Sequence, residues 1–451
     1  MQEHFAGHQN GTDDGRGERP DGDPQVTAWS SGGRVLHVVT RYQRGGSERR
    51  IKDLVAALPE LRHDLLVGAD SDVDLARAQV GAASVSVLEP LVRNVSPKDD
   101  VRCLLTLRAL LRARRPLAVV THQSKAGALG RLAAASAGVP AVHSLSMASF
   151  GPGYGRAESL VFRTLERRLG RRTAGFAVVG ADLASRFAAV GVPADRLHVV
   201  RSFVPLPAAD ALEPRAAVRR RLAHRHGVAV DGPLVAYVGS LDSRKNVLAI
   251  PGVLAAAAAR AGVAPAFVAA GAGPLHDELA LGLAAHGLGE RAVLTGHLAD
   301  PADVADVLRG ADVVLLLSKA EGLPQVLVQA AANGTPFVAH DVEGVAELLS
   351  LGAHGAATPL GDLDGVVEAL AKLLVAPSAG DRPVADLSSW TQEAVHAGHR
   401  RVVLGALGRP YTPRPPDAGP VDVVDVTPAR VTTGFPGATE PVPAGDGRQP
   451  A

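Results

Sequence analysis

From Arg34 onward the chain alternates short, almost continuously apolar runs with longer segments of mixed polarity. Runs of strand length lie at 34–40 (RVLHVVT), 63–69 (HDLLVGA), 84–89 (SVSVLE), 117–122 (LAVVTH), 141–146 (AVHSLS) and 175–180 (GFAVVG). A strand with one wet face would alternate apolar and polar residues. Most of these runs do not, and their near-continuous apolar character predicts parallel strands covered on both faces. The intervening segments, such as 99–114 and 124–137, have helix length, and strand-helix-strand succession is the pattern of a parallel α/β sheet.

A Pro- and Arg-rich connection, roughly Pro205 to Pro233, interrupts the alternation. It restarts at 234–241 (LVAYVGSL), 264–271 (APAFVAAG), 291–297 (RAVLTGH), 312–318 (DVVLLLS) and 335–340 (TPFVAH). Two successive parallel-sheet domains are therefore predicted, over 33–204 and 233–387, with a linker at 205–232. Segments 1–32 and 406–451 hold too few core-forming residues to offset the entropy of ordering, and are expected as disordered tails.

Composition narrows the function classes. Of 451 residues 46% are hydrophobic and 21% charged, as globular domains require, but only 3% are aromatic. Readers of single-stranded nucleic acid stack bases on aromatic rings, and a formal net charge of +1 offers no general attraction to an anionic polymer. Nucleic acid is thus not expected as a partner. A single cysteine, Cys103, excludes an intramolecular disulfide and any cysteine-built zinc site. No apolar run approaches the ~18 residues of a membrane span, and the N-terminus lacks the apolar core of a secretory signal. A reducing, cytoplasmic setting is expected, with peripheral membrane contact left open.

In parallel sheets ligands bind beyond the carboxyl ends of the strands, so chemistry is sought in those loops. After the first strand, Gly45 and Gly46 precede Ser47. They either reverse the chain or let backbone N–H groups approach a phosphate at a helix start. Arg244 and Lys245 follow the first strand of the second domain, as solvated loop residues or as partners of a diphosphate. Gly271 and Gly273 come directly after a strand, ahead of Pro274, and a structural turn is as plausible as an approach to nucleotide. The strongest stretch is SKAEGLPQVLVQAAANGTPFVA (318–339). There Glu321 and Gly322 occupy a turn, Pro324 starts a helix, and Gln329 lies roughly 8 Å further along it. A carboxylate and an amide so placed can hold two sets of hydroxyls, or belong to a capped core helix.

The succession GGSE (45–48), THQSKAGALGRLAA (121–134), VGSLDSRKN (238–246), GAGP (271–274), LTGH (294–297) and EGLPQVLVQAAANGTPFVA (321–339) resembles the retaining glycosyltransferases of family 4 over about residues 34–405. That resemblance implies the GT-B fold: two Rossmann-like domains with a cleft between them, and a last helix, about 388–405, crossing back to the first. It implies transfer of a sugar from a nucleotide-sugar donor, UDP- or GDP-linked, to a glycan, lipid-linked or small-molecule acceptor. The anomeric configuration would be retained and no metal or other cofactor needed.

Carried over by motif, Gly45 and Gly46 would approach the donor phosphate and the transferred sugar. Gly271 and Gly273 would border the nucleotide, and Lys245, helped by Arg244, would bind the diphosphate. Glu321 would contact the transferred sugar, Gly322 and Leu323 would offer backbone amides, and Gln329 would take the place of a ribose-binding glutamate. Three residues depart from the family pattern. Gln329 stands for Glu, Ser240 for an Arg, and Ser146 for a histidine near the reaction centre, with His122 and His143 as nearby alternatives and His122 the catalytic candidate. The departures sustain two rival readings: a non-catalytic sugar-nucleotide-binding partner subunit, and an epimerase or hydrolase of the same fold.

Two further features are weighed against plainer roles. Asp72 and Asp74 form a D-x-D, but at a predicted helix start, where capping is favoured over metal binding. The Arg-dense stretch at 156–172 reads as a solvated helix face, with an anionic membrane surface as the other reading.

Overall fold

The computed structural model describes residues 33–43, 46–82, 84–151, 155–207, 212–375 and 385–408. The N-terminal tail predicted at 1–32, all of the C-terminal one beyond 408, and Gly45 lie outside these residues. Seven parallel strands make the first sheet: β1 (Arg34–Val39), β2 (Arg62–Gly68), β3 (Ser84–Leu88), β4 (Ala118–His122), β5 (Ala141–Leu145), β6 (Gly175–Val178) and β7 (Leu197–Val199). Their order is β3-β2-β1-β4-β5-β6-β7. The helices between them are α1 (Gly46–Ala57), α2 (Val73–Val80), α3 (Pro97–Arg114), α4 (Ser124–Ala137), α5 (Arg156–Gly170) and α6 (Ala181–Ala189).

The second domain begins with α7 (Arg215–His226) and holds six parallel strands: β8 (Leu234–Val238), β9 (Ala266–Ala270), β10 (Ala292–Gly296), β11 (Val313–Leu316), β12 (Phe337–His340) and β13 (Gly355–Thr358). They run in the order β10-β9-β8-β11-β12-β13. Their helices are α8 (Ile250–Ala261), α9 (His276–Ala285), α10 (Pro301–Gly310), α11 (Gln325–Ala332), α12 (Val345–Ser350) and α13 (Leu363–Val375).

The apolar runs predict every central strand, each of which must be covered on both faces, and the edge strands β3 and β10 as well. Strands β7 and β13 escape that reading. Both are edge strands, and LHV and GAAT carry too little apolar character to stand out. The predicted linker also holds more structure than its composition suggests. Helix α7 buries Val218 and Leu222 in the second-domain core, Arg219 pairs with Asp312, and Arg221 bridges Asp306 at 2.6 Å and Glu213 at 2.9 Å.

The last helix, α14 (Gln392–Leu407), returns to the first domain. Val402, Val403 and Ala406 join Val35, Leu54 and Val120 in one apolar cluster, and Arg400 Nη1 donates to the Ala57 carbonyl at 2.9 Å. On the opposite face of the sheet, Arg131 of α4 meets Glu166 of α5 through two bonds of 2.8 and 2.6 Å. Both side chains are buried. This pair fixes which side of α5 faces inward, and leaves Leu160 and Val161 on the outer side, 66% and 64% exposed. The D-x-D resolves as a cap, since Asp72 accepts from Leu75 N at 2.9 Å. Asp72→Ala is expected to cost about 1 kcal/mol of stability, read from the shift of a denaturation midpoint.

Candidate functional site

Strands β8 and β11 are neighbours, joined at Val235–Val313, and they mark the point where the second sheet reverses its order of growth. Loops leaving the two strands must diverge there, which opens a crevice at their carboxyl ends. The β8 loop is braced internally. Tyr237 Oη donates to the Ser240 carbonyl at 2.7 Å, Ser240 Oγ donates to Asp242 at 2.7 Å, and Lys245 N donates to the same carboxylate at 3.0 Å. Burial, with Asp242 and Glu321 nearby, pushes the Tyr237 phenol above its ordinary range, so it remains an O–H donor. The loop is then tied to the one after β11 by Lys319 N donating to the Arg244 carbonyl at 2.9 Å.

That lacing brings three predicted residues together. The Lys245 ammonium pairs with Glu321 Oε1, while Arg244 Nη1 lies 3.4 Å from Glu321 Oε2 and donates to the Ala320 carbonyl at 3.3 Å. The Lys245 and Glu321 side chains are only 12% and 10% exposed, whereas that of Arg244 is 42% exposed. Two cations, one sheltered and one reaching solvent, thus flank a sheltered carboxylate at the crevice.

The glycines of this region answer to close backbone approaches. A Cβ on Gly271 would lie 1.8 Å from the Gly239 carbonyl oxygen, and one on Gly273 2.3 Å from that of Leu241. Packing of the β9 loop on the β8 loop therefore accounts for both. At Gly322 a Cβ would come 1.6 Å from the Ser146 carbonyl oxygen, so only glycine lets the β11 loop abut the β5 loop of the first domain. Leu323 is buried beside this contact, and Gln329 on α11 is partly exposed, its amide without a hydrogen bond among the described residues.

A polar latch joins the domains near the same junction. Glu347 of α12 accepts from Ala181 N at 3.1 Å, at the start of α6, and pairs with Arg201. The Arg201 guanidinium also lies 4.4 Å over the Trp390 ring. Gly344 N donates to Asp182 at 3.1 Å, and Arg186 pairs with Glu343. None of these residues stands out in the sequence, since their roles depend on which helix ends meet across the domains.

On the first-domain side, β1 and β4 flank the corresponding reversal of strand order. Gln123, just past β4, has φ 63° and ψ 168°, a conformation that costs a non-glycine residue about 1–3 kcal/mol and clusters at functional sites. It is held there by reciprocal bonds to Arg41, whose N donates to Gln123 Oε1 at 3.1 Å and whose carbonyl accepts from Gln123 Nε2 at 2.9 Å. In the sequence Gln123 is marked only by its place in the stretch THQSKAGALGRLAA (121–134), with nothing to single it out there.

The structure places the strand-end histidine, His122, in a buried row. By register His63 lies opposite Val35 and His122 opposite Val39, so both share a sheet face with His37. His63 Nε2 must donate to the Leu58 carbonyl (2.9 Å), since a carbonyl only accepts. His63 Nδ1 therefore accepts from His37 Nε2 at 2.9 Å, and His37 Nδ1 from His122 Nε2 at 3.2 Å. All three rings are neutral Nε2–H tautomers. Burial, with the Arg50 charge nearby, lowers His122 to about 3. His143 points to the opposite face, against Thr121 Oγ1 at 2.9 Å. Among the described residues no group of three or more His, Cys, Asp or Glu side chains is placed to hold a metal ion.

Comparison with known proteins adds to this geometry. A family model described as "Glycosyl transferase 4-like domain" matches residues 45–202, and one described as "Glycosyl transferases group 1" matches residues 232–375. The chain is 31% identical over 191 residues to an alpha-D-kanosaminyltransferase of Streptomyces kanamyceticus, a match covering 42% of this chain and 48% of that protein. The match thus spans about half the length of that relative. Identity is 26% over 292 residues to the Escherichia coli UDP-Gal:alpha-D-GlcNAc-diphosphoundecaprenol alpha-1,3-galactosyltransferase, covering 63% and 73% of the two chains. Among solved structures, Anabaena HepE in complex with UDP and glucose superposes with a TM-score of 0.60 at 17% identity, over 82% of this chain and 94% of the other. The fold is GT-B, as the sequence resemblance implies.

Proposed function

We propose that this chain is a retaining glycosyltransferase, taking a hexose from a UDP- or GDP-linked donor and passing it to a glycan or lipid-linked acceptor. The observation that carries the reading is the meeting of Lys245, Arg244 and Glu321 at the crevice between β8 and β11. Two cations beside one carboxylate suit a substrate with an anionic half and a polyhydroxyl half. The cations stabilise charge that builds on the departing diphosphate, which is electrostatic preorganisation. Glu321 accepts from hydroxyls of the hexose, and the acceptor attacks from the face the diphosphate leaves, so no protein nucleophile is required. His122, held neutral, acts as a positioning residue beneath the cleft. Gln329 accepts from the ribose, and Gln329→Ala should weaken nucleotide binding about fivefold, one net hydrogen bond, in a calorimetric titration.

The test of the reading is turnover of UDP- and GDP-sugars with and without an added acceptor. Release of nucleoside diphosphate that depends on the acceptor and persists in EDTA is expected. Turnover without any acceptor would instead favour the epimerase or hydrolase reading, and binding with no turnover the partner-subunit reading.

A lipid-linked acceptor is favoured by the outer surface of the first domain. Leu160 and Val161 of α5 are exposed amid Arg156, Arg163, Arg167 and Arg168, and Val95, Val101 and Leu105 are exposed at and before α3. Apolar side chains within a basic helix face suit the surface of an anionic bilayer. No helix among the described residues is long and apolar enough to cross a membrane. Co-flotation with phosphatidylglycerol vesicles is expected, and should be lost when Leu160 and Val161 are both changed to Ser. Equal flotation of the two proteins would remove this face from consideration.

A further inference from the structure

Glu321 spans both cations with separate oxygens: Oε1 on Lys245 and Oε2 facing Arg244. Both oxygens are thus engaged, and the side chain is nine-tenths buried. Each oxygen can still accept from a sugar hydroxyl, but does so in competition with the cation it faces. A diphosphate is a stronger anion for the same two cations. When it captures them, the carboxylate loses both partners while remaining sheltered, which is the costly condition for a buried charge. Hydroxyl donors from an intact nucleotide sugar can satisfy the freed carboxylate. The spent nucleotide brings no such donors to that position.

We propose that Glu321 makes the site discriminate intact nucleotide sugar from free nucleoside diphosphate, by reclaiming Lys245 and Arg244 once the sugar has left. This rests on the glycosyltransferase reading, and gives Glu321 a second duty in it. The carboxylate that grips the hexose is also the competing anion that drives out the product. Independent roles, with Lys245 reading phosphate and Glu321 reading sugar, would leave diphosphate affinity indifferent to Glu321. Exchange of partners requires instead that removing its charge tighten the diphosphate.

The experiment is calorimetric titration of UDP, GDP and their hexose conjugates into wild type, Glu321→Gln and Glu321→Asp. Glu321→Gln should bind the preferred nucleoside diphosphate roughly tenfold more tightly, the size of one charge-assisted contact. Its preference for the intact donor over the diphosphate should collapse, and inhibition by the diphosphate product should strengthen in parallel. Should Glu321→Gln fail to fold, Glu321→Asp, which keeps the charge but draws the carboxylate back by one methylene and so weakens its hold on both cations, should show a smaller tightening. Unchanged or weakened diphosphate affinity in a variant that melts like wild type overturns the exchange alone. Absence of all nucleotide binding to wild type overturns the glycosyltransferase reading, and the exchange with it.

Discussion

Replacing Lys245 with Ala should lower kcat/KM for sugar transfer by about 10²- to 10³-fold, the usual effect of removing one preorganised stabiliser of transition-state charge. The loss should appear in both affinity and rate. On the proposed reading Lys245 would face the diphosphate before bond breaking and more negative charge as the bond breaks, so its contribution would grow along the reaction. Glu321 keeps Arg244 nearby in the variant, which limits damage to the resting structure and separates the catalytic effect from unfolding. Lys245→Arg is a sharper control, because it keeps the charge but replaces a compact ammonium with a planar fork. Partial activity is expected from it. The measurement is steady-state kinetics on wild type and both variants, with melting curves to certify folding. Wild-type turnover by Lys245→Ala would show that the lysine is only the partner of Glu321, and the proposed site would lose its leading residue.

Lys245 and Glu321 were legible in the sequence because each lies a few residues past an apolar run that only a central parallel strand explains. Strand adjacency then decides which loops meet. Nothing in the runs themselves says that β8 and β11 are neighbours; the reversal of strand order says it, and the family resemblance supplied that order. Residues whose role depends on contacts between distant surfaces were not legible. Glu347 caps α6 from the other domain, Arg201 stacks on Trp390, and Gln123 is bent by Arg41. Each is an ordinary polar residue until the partner is in place. Helix α7 was hidden for a different reason. Its sequence RAAVRRRLAHRH is so basic that it reads as a solvated connection, yet the arginines are used in ion pairs to the rest of the second domain. The histidine row was hidden by strand pairing. His37, His63 and His122 are 26 and 85 residues apart, and only the parallel register lines them up on one face.

The buried histidines make the protein sensitive to acid in a predictable direction. Burial holds His37, His143 and His399 well below the ordinary histidine value, with neighbouring histidines and arginines adding to the effect, and brings His122 to about 3. Charge beneath the row comes from Arg50, whose guanidinium donates to the Val200 carbonyl at 2.8 Å and the Ala177 carbonyl at 3.1 Å, and stays protonated with its value near about 10. Below a pH of about 6.5 the unfolded chain takes up protons at these positions that the folded chain refuses. Stability is therefore full above about 6.5 and is lost as the pH falls toward each depressed folded value, by about 1.4 kcal/mol per pH unit for each such histidine.

His399 isolates one member of the set. It is fully buried on α14, and neither ring nitrogen has a hydrogen-bond partner among the described residues. Replacing it with Leu removes two unsatisfied polar atoms, so His399→Leu should raise stability by about 1–3 kcal/mol at pH 7.5. The variant's advantage should then widen by about 1.4 kcal/mol for each pH unit below 6.5, because one fewer group awaits protonation on unfolding. Urea midpoints at pH 7.5, 6.5 and 5.5 for wild type, His399→Leu and the exposed-site control His354→Gln make the comparison. The control should track wild type. If His399→Leu tracked it too, with parallel losses across the three pH values, His399 would not be held neutral by the fold, and the acid sensitivity would rest on the other buried histidines or on the carboxylates. Their unfolded values lie near about 4, so a loss that begins at pH 6.5 belongs to the histidines and one that begins below 5 does not.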